Sequence, residues 1–227
     1  PLVDQTSVTD NSANKIADII RALMRHDPDT IIIGEMRDGD TVEAALRATE
    51  SGHMVITTVH SVDALHTLDR IDGFLSSAYR TSGLYILGHA LIASLSQRLV
   101  KTVRPACHKI DTAVHVFETP ERCADIGIAP DEKVALINRE GCDLCNHTGF
   151  LGRTLALEAM FPPEDQASRR AITEMMVSNV TSSVVDVPGT IYMPRRQSIV
   201  DLIRRNAIDA NMGASLLVEE ANTRQGR

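Results

Sequence analysis

The residues best suited to chemistry sit where two apolar runs stop. In DPDTIIIGEMRD, spanning 27–38, three isoleucines run into Gly34 and Glu35, with Arg37 and Asp38 just beyond. In GHMVITTVHS, spanning 52–61, a second aliphatic run starts after His53 and ends at His60. A carboxylate at the end of a buried strand is what nucleotide hydrolases use to hold Mg²⁺ or to align a water, and Gly34 lets a ligand approach the backbone closely. Parallel strands lie about 4.8 Å apart, so Glu35 and His60 can converge on one ligand edge if the two runs are neighbours. His53 precedes His60 by seven residues, roughly 23 Å along a straight strand, so the two histidines cannot share one mononuclear site.

The four cysteines, Cys107, Cys123, Cys142 and Cys145, form the second candidate group. The chain opens Pro-Leu-Val-Asp, without a basic segment followed by an apolar one, so metal or free thiols are expected before disulfides. Cys142-x-x-Cys145 followed by Asn146-His147-Thr148-Gly149 reads as half a zinc knuckle. Zinc takes four ligands, usually from two such turns. Cys107 supplies one more, and Cys123 or His108 is left as the candidate for the fourth. The same spacing occurs in redox proteins, but here it lacks their strand-then-helix setting. A bound zinc would act structurally, holding a segment too poor in apolar residues to fold readily on burial alone.

These residues need elements to position them. Ile16, Ile19, Ile20, Leu23 and Met24 share one face of a helix over 14–25, capped by Asn11, Ser12 or Asn14 and stopped at Asp27-Pro28. The run 30–33 reads as a strand buried on both sides, and 53–61 as another. Between them, Asp40 and Glu43 resemble a capping box for a helix over 41–50, with Gly52 as its exit. A strand–helix–strand unit implies parallel strands with a right-handed crossover. Helices are expected over about 62–75 and after Ser82, where Leu84, Leu87, Leu91, Ile92 and Leu95 share a face. QRLVKTV reads as a further strand. After Pro105 the texture changes: 105–150 holds all four cysteines and weak periodicity, as in a small inserted subdomain. Residues 152–161 alternate like a strand, and 164–179 and 196–208 read as helices with DVPGTIYMP as a loop between them. The polar last dozen residues read as frayed. The expected plan is a core over 1–104, a cysteine-rich insert over 105–150, and a return strand with C-terminal helices over 151–227. Lone His89 and His115 read as core or surface residues.

Bulk properties narrow the class. Apolar residues make up 43% and charged residues 23% of 227, as in an ordinary globular protein. Tryptophan is absent, so aliphatic residues and methionine must build the core. A net charge of −7 argues against a general nucleic-acid binder. The longest apolar runs fall short of the roughly 20 residues a membrane span needs.

The stretch LMRHDPDTIIIGEMRDGDTVEAALRATESGHMVITTVHS resembles the ATPases that drive type IV pilus assembly and type II secretion. IIIGE followed by Arg-Asp is similar to their Walker B segment, and GHMVITTVHS to their His box. SLSQRLVKTVRPAC and GCDLCNHTGFLGRT resemble the strand and cysteine-rich insert that follow, and MPRRQSIVDLIRRNAI more loosely resembles the closing helices. The resemblance implies an α/β, RecA-like P-loop NTPase fold with a parallel-sheet core. It implies a homo-oligomeric, hexameric ring, cytoplasmic and peripheral at the inner-membrane face, working on a membrane platform protein with ATP, Mg²⁺ and Zn²⁺. By that resemblance Glu35 serves the Mg²⁺ and the attacking water, with Gly34 beside it. His60 contacts the γ-phosphate, and His53 is the other box histidine. Arg37 forms an ion pair that steadies the site or a subunit interface, and Gln97 and Arg98 lie near the nucleotide. The family's insert has a second Cys-x-x-Cys, and Arg104 stands where the first of those cysteines is expected. The insert itself tends to mark assembly-type rather than retraction-type ATPases.

One part of the pattern is missing. A phosphate cradle of the form G-x-x-x-x-G-K-[ST] is required for triphosphate affinity. The chain's lysines are Lys15, Lys101, Lys109 and Lys133, and none follows a glycine. The expectation is therefore the C-terminal part of a motor, beginning after its phosphate loop and unable to hydrolyse ATP alone. The alternatives are a non-catalytic module that joins or poisons such a ring, and a RecA-like motor acting on nucleic acid.

Overall fold

The computed structural model describes Gln5 and residues 13–225, with side chains given for Gln5 and 16–222. In chain order the elements are α1 (Ala13–Leu23), β1 (Thr30–Ile33), α2 (Gly39–Glu50), β2 (Met54–Thr57), α3 (His66–Asp72), α4 (Arg80–Ala90) and β3 (Ser94–Val103). Then come β4 (Lys109–Thr112), α5 (Ala113–Phe117), α6 (Pro120–Ile126), β5 (Lys133–Leu136), β6 (Phe150–Phe161), α7 (Gln166–Val177), β7 (Ile191–Met193), α8 (Arg195–Arg204) and α9 (Ala210–Gln225). Among the described residues, those up to Ser94 with 160–192 form one compact unit, and 95–159 with those from Met193 onward form the other. The class is α/β, as the sequence predicts. The caps expected at Asn11, Ser12 or Asn14 lie outside the described side chains.

The first unit is built on β1 and β2, which pair in parallel from Thr30 opposite Met54 to Ile33 opposite Thr57. The crossover between them is α2. Its cap is Asp38 rather than Asp40, because Asp38 has extended backbone and its carboxylate accepts the N–H and hydroxyl of Thr41 at 2.9 and 2.8 Å. Ala17 and Ile20 of α1 pack into one core with Val42, Ala45 and Ala48 of α2 and Ile31 and Ile33 of β1. The expectation of strands buried on both sides is corrected. Ile31 and Ile33 face the core, while Ile32 is 75% exposed and Met54 and Ile56 are open with it. Each four-residue strand alternates its side chains, and only one face of this pair is covered among the described residues. Helices α4 and α7 cross at Gly88, where an added Cβ would lie 2.1 Å from Thr173 Oγ1. The leucine stripe predicted after Ser82 divides: α4 ends at Ala90, Leu91 is already extended, and Leu95 belongs to β3.

β3, β6 and β7 form a three-stranded sheet in the order β3-β6-β7. β4 and β5 pair antiparallel, with Lys109 opposite Leu136 and Thr112 opposite Lys133. Phe117, Cys123 and Val134 share a buried core with Val100, Ile199, Ile203 and Ile208. The cysteine-rich segment thus contributes to the same core as α8. Two sequence expectations change here. The DVPGTIYMP stretch contains strand β7, and the terminal region is the helix α9 through Gln225, anchored by buried Leu216 and Leu217. Among the described residues no helix is long and apolar enough to cross a membrane.

Candidate functional site

The pairing of β1 with β2 continues past their ends. Met36 N donates to Thr58 O at 3.0 Å, and Thr58 Oγ1 donates to Gly34 O at 2.6 Å. Glu35 and His60 therefore leave adjacent strands at the same, carboxyl end. His60 Nε2 lies 2.9 Å from Glu35 Oε1. This is a close polar approach rather than an aligned hydrogen bond, since Glu35 Oε1 is buried and has no hydrogen-bond partner of good geometry. Arg37 Nη2 donates to the other oxygen, Oε2, at 2.5 Å. The carboxylate is thus bracketed by a guanidinium and an imidazole. That Arg37 hydrogen bond holds the Glu35 carboxyl below its ordinary range against the upward push of burial, and the charges of Arg37 and His60 help. The Glu35 side chain is 19% exposed, whereas the His60 ring is 88% exposed. An ionised, sheltered carboxylate beside an exposed imidazole suits binding of a cation or alignment of a water next to an anionic ligand.

The loop carrying His60 is pinned by residues that the sequence reading missed. Asp63 is buried, and one carboxylate oxygen accepts the N–H groups of Leu65 and His66 at 2.9 and 2.8 Å. Its other oxygen lies 2.9 Å from His66 Nδ1. Ser94 Oγ donates to Ala64 O at 2.6 Å, and Ser61 Oγ donates to Asp63 O at 2.7 Å. An aspartate three residues ahead of α3's first residue is the signal that marks this anchor.

The remaining expected nucleotide residues are His53, Gln97 and Arg98. His53 stands at the opposite end of β2, with Nδ1 3.0 Å from Ala48 O at the close of α2. Gln97 and Arg98 belong to β3 in the second unit, where Gln97 is exposed and Arg98 Nη2 pairs with Glu219 at 2.6 Å.

The second unit also holds a thiol cluster. The sulfurs of Cys107, Cys142 and Cys145 all lie within 4.8 Å of one another. The structure does not bring Cys123 to them: it is fully buried in the core with Phe117 and Val134. His108 is turned to the carbonyl of Arg104, with Nδ1 at 3.2 Å. The Cys142–Cys145 turn is shaped by left-handed residues. Gly141 and Gly149 have φ of 60° and 70°, and a Cβ on either would come within 2.5 Å of backbone atoms. Burial pushes the Cys145 thiol up, but N–H donors from Cys142 and Gly149 and the neighbouring thiols outweigh it and bring it to about 6. Burial and the hydrogen bonds of the other two sulfurs push Cys107 up to about 11. Three convergent sulfurs of this kind fit a thiophilic ion such as Zn²⁺.

Residues 2–210 match the family model described as type II/IV secretion system protein. The chain is 36% identical over 173 residues to type II secretion system protein E of Aeromonas hydrophila, an overlap of 75% of this chain and 31% of that protein. It is 36% identical over 155 residues to the type IV pilus assembly ATPase PilB of Thermus thermophilus, covering 67% of this chain and 16% of that one. Among solved structures, it is similar to the pilus retraction motor PilT with bound ADP, with a TM-score of 0.56 at 26% identity over 87% of this chain and 42% of that one. The ATPase DotB of Legionella pneumophila shares the fold, with a TM-score of 0.60 at 18% identity over 90% of this chain and 42% of that one. The match with the Aeromonas protein thus spans about a third of that relative's length.

Proposed function

Because the chain belongs to the type II/IV secretion system protein family, we propose that it forms part of a hexameric, ATP-hydrolysing motor that powers pilus assembly or protein secretion. The observation that carries this reading is the meeting of Glu35 and His60, 2.9 Å apart, beyond the carboxyl ends of two parallel strands. Open parallel sheets take their ligands there. Glu35, kept ionised by Arg37, holds Mg²⁺ and orients the attacking water. His60 swings its exposed ring from Glu35 toward the γ-phosphate. Gly34 leaves room beside the backbone, and Arg37 keeps Glu35 aimed or bridges to a neighbouring subunit. His53, Gln97 and Arg98 serve nucleotide binding in the assembled ring. Bound Mg²⁺–ATP supplies the electrophilic phosphorus and the counter-charge for Glu35.

The motor works at the cytoplasmic face of the inner membrane against a platform protein. The 105–150 segment is an insert steadied by Zn²⁺ on Cys107, Cys142 and Cys145, the three sulfurs that lie within 4.8 Å of one another. Full activity belongs to the whole protein, since these 227 residues contain no Gly-Lys-Ser/Thr phosphate loop. That same observation favours a second reading, a non-catalytic module that joins such a ring.

The test is phosphate release by the natural protein that carries this sequence. Glu35→Gln is expected to lower turnover on the order of 100-fold or more while leaving nucleotide binding intact. His60→Ala should lower it as well. Undiminished turnover in Glu35→Gln defeats the motor reading. A wild-type protein that shows no turnover, yet slows an active ring when mixed with it, supports the second reading instead.

A further inference from the structure

The thiol cluster has a fourth neighbour that is not a ligand. Arg104 Nη1 donates to Cys142 Sγ at 2.8 Å. The position is built rather than incidental. Arg104 N donates to Gly149 O at 2.9 Å, tying the first cysteine loop to the end of the second. Arg104 O in turn accepts the N–H groups of Cys107 and His108 at 3.2 and 3.0 Å, closing the turn that presents Cys107. Among the described residues, no fourth His, Cys, Asp or Glu joins the three sulfurs. His108 is held to the Arg104 carbonyl, and Cys123 is locked in the core.

Structural zinc sites are normally closed by four protein ligands, whereas sites with three keep an open position for an exchangeable donor. A divalent ion on three thiolates also retains one negative charge, and a guanidinium beside a sulfur neutralises it. Hydrogen bonds from such outer groups orient the ligand and tune the affinity of the ion. We propose that Cys107, Cys142 and Cys145 form a three-thiolate zinc site with an exchangeable fourth position, in which Arg104 is a positioning and charge-balancing group on Cys142 rather than a ligand. This rests on the zinc reading given above and changes its character. The ion is exchangeable, and the fourth position takes water or a small donor from solution. A segment that shares the core of α8 through Phe117 and Val134 has burial to hold it when the ion leaves.

The experiment uses the full chain, reduced, stripped of metal by dialysis against a chelator, and reloaded with Zn²⁺ or Co²⁺. Wild type is expected to take one zinc per chain and to release it to a competing chromophoric chelator at a concentration that leaves Arg104→Cys loaded. Arg104→Met is expected to bind zinc about 10- to 100-fold more weakly than wild type. The cobalt form of wild type should shift its visible spectrum when imidazole is added, and that of Arg104→Cys should not. The cobalt measurement on wild type stands by itself if Arg104→Cys misfolds. Zinc held as tightly in wild type as in Arg104→Cys, with a cobalt spectrum indifferent to imidazole, overturns the proposal by showing a closed fourth ligand. Zinc taken by Arg104→Cys and refused by wild type overturns it by making Arg104 an excluder of metal. Refusal by both removes the zinc reading itself.

Discussion

Glu35 Oε1 and His60 Nε2 approach to 2.9 Å although 24 residues, the whole of α2 among them, lie between the two in sequence. The contact follows from register. Ile33 faces Thr57, so two and three residues later the side chains emerge at one rim. Arg37 completes the arrangement at 2.5 Å from the second carboxylate oxygen.

The first prediction concerns the ionisation of Glu35. Its carboxyl titrates below the usual carboxylate range, chiefly because of the Arg37 hydrogen bond. A depressed carboxylate stabilises the fold fully above its unfolded value, and that contribution is lost as pH falls through the folded one. Carboxyl-detected NMR should therefore show Glu35 titrating below the ordinary carboxylate range. Arg37→Met should move it upward. Denaturant midpoints of wild type and Glu35→Gln should converge as the solution is acidified. A Glu35 titration unmoved by Arg37→Met would show that the ion pair does not hold the carboxylate.

The second prediction concerns Gly88, where α4 meets α7. A Cβ there would stand 2.1 Å from Thr173 Oγ1 and 3.1 Å from Met176 Cε. Thr173 cannot turn aside cheaply, because it is fully buried and its hydroxyl donates to Arg169 O at 2.9 Å. Gly88→Ala should therefore cost about 1–3 kcal/mol in chemical denaturation, more than the helix propensity of alanine returns. Removing the hydroxyl with Thr173→Ala in the same chain should recover part of the loss. Gly88→Ala at wild-type stability would mean the two helices part without cost.

How much of this was legible beforehand depends on whether a residue's role is local. The Glu35 and His60 convergence is readable, because two aliphatic runs flanking a helix leave few topologies and the two side chains stand just past the ends of those runs. Three thiols of the four were readable from spacing, but the loop geometry that excludes Cys123 depends on a core contact with Phe117 and Val134 that no spacing reveals. The Asp40 and Glu43 pair points to a cap two residues past the real one. Asp38 and Asp40 both suit a cap, and only the extended backbone at Asp38 selects it. The openness of Ile32, Met54 and Ile56 was hidden for a related reason: an all-aliphatic strand reads as covered on both faces whether or not a neighbour is there. α9 is hard to read because its second half is mostly polar, while Ala210, Leu216 and Leu217 are tucked in.

The third prediction concerns the cap itself. Asp38 accepts two hydrogen bonds from Thr41 in the turn that directly follows Arg37. Asp38→Ala should cost about 1 kcal/mol, and Asp38→Asn much less, by denaturant titration. Asp40→Ala should leave stability within about 0.5 kcal/mol, as for surface positions without a special contact. Equal losses at both positions would return the cap to Asp40.

The last prediction concerns the ion network beneath α8. Glu158 on β6 is fully buried, an expensive position for a carboxylate. Arg195, itself buried at the start of α8, approaches it at 3.4 Å while bonding Glu220 at 2.6 Å and Ser96 Oγ at 2.6 Å. Removing one member of a buried pair costs more than replacing both, because the survivor keeps its desolvation penalty without its counter-charge. Arg195→Met should therefore destabilise the protein by about 3–5 kcal/mol. Glu158→Leu added to Arg195→Met should recover a large part of that loss, and a double-mutant cycle should return a coupling of about 1 kcal/mol or more. If the two losses simply add, Glu158 is stabilised by its other surroundings, and Arg195 serves Glu220 and Ser96 instead.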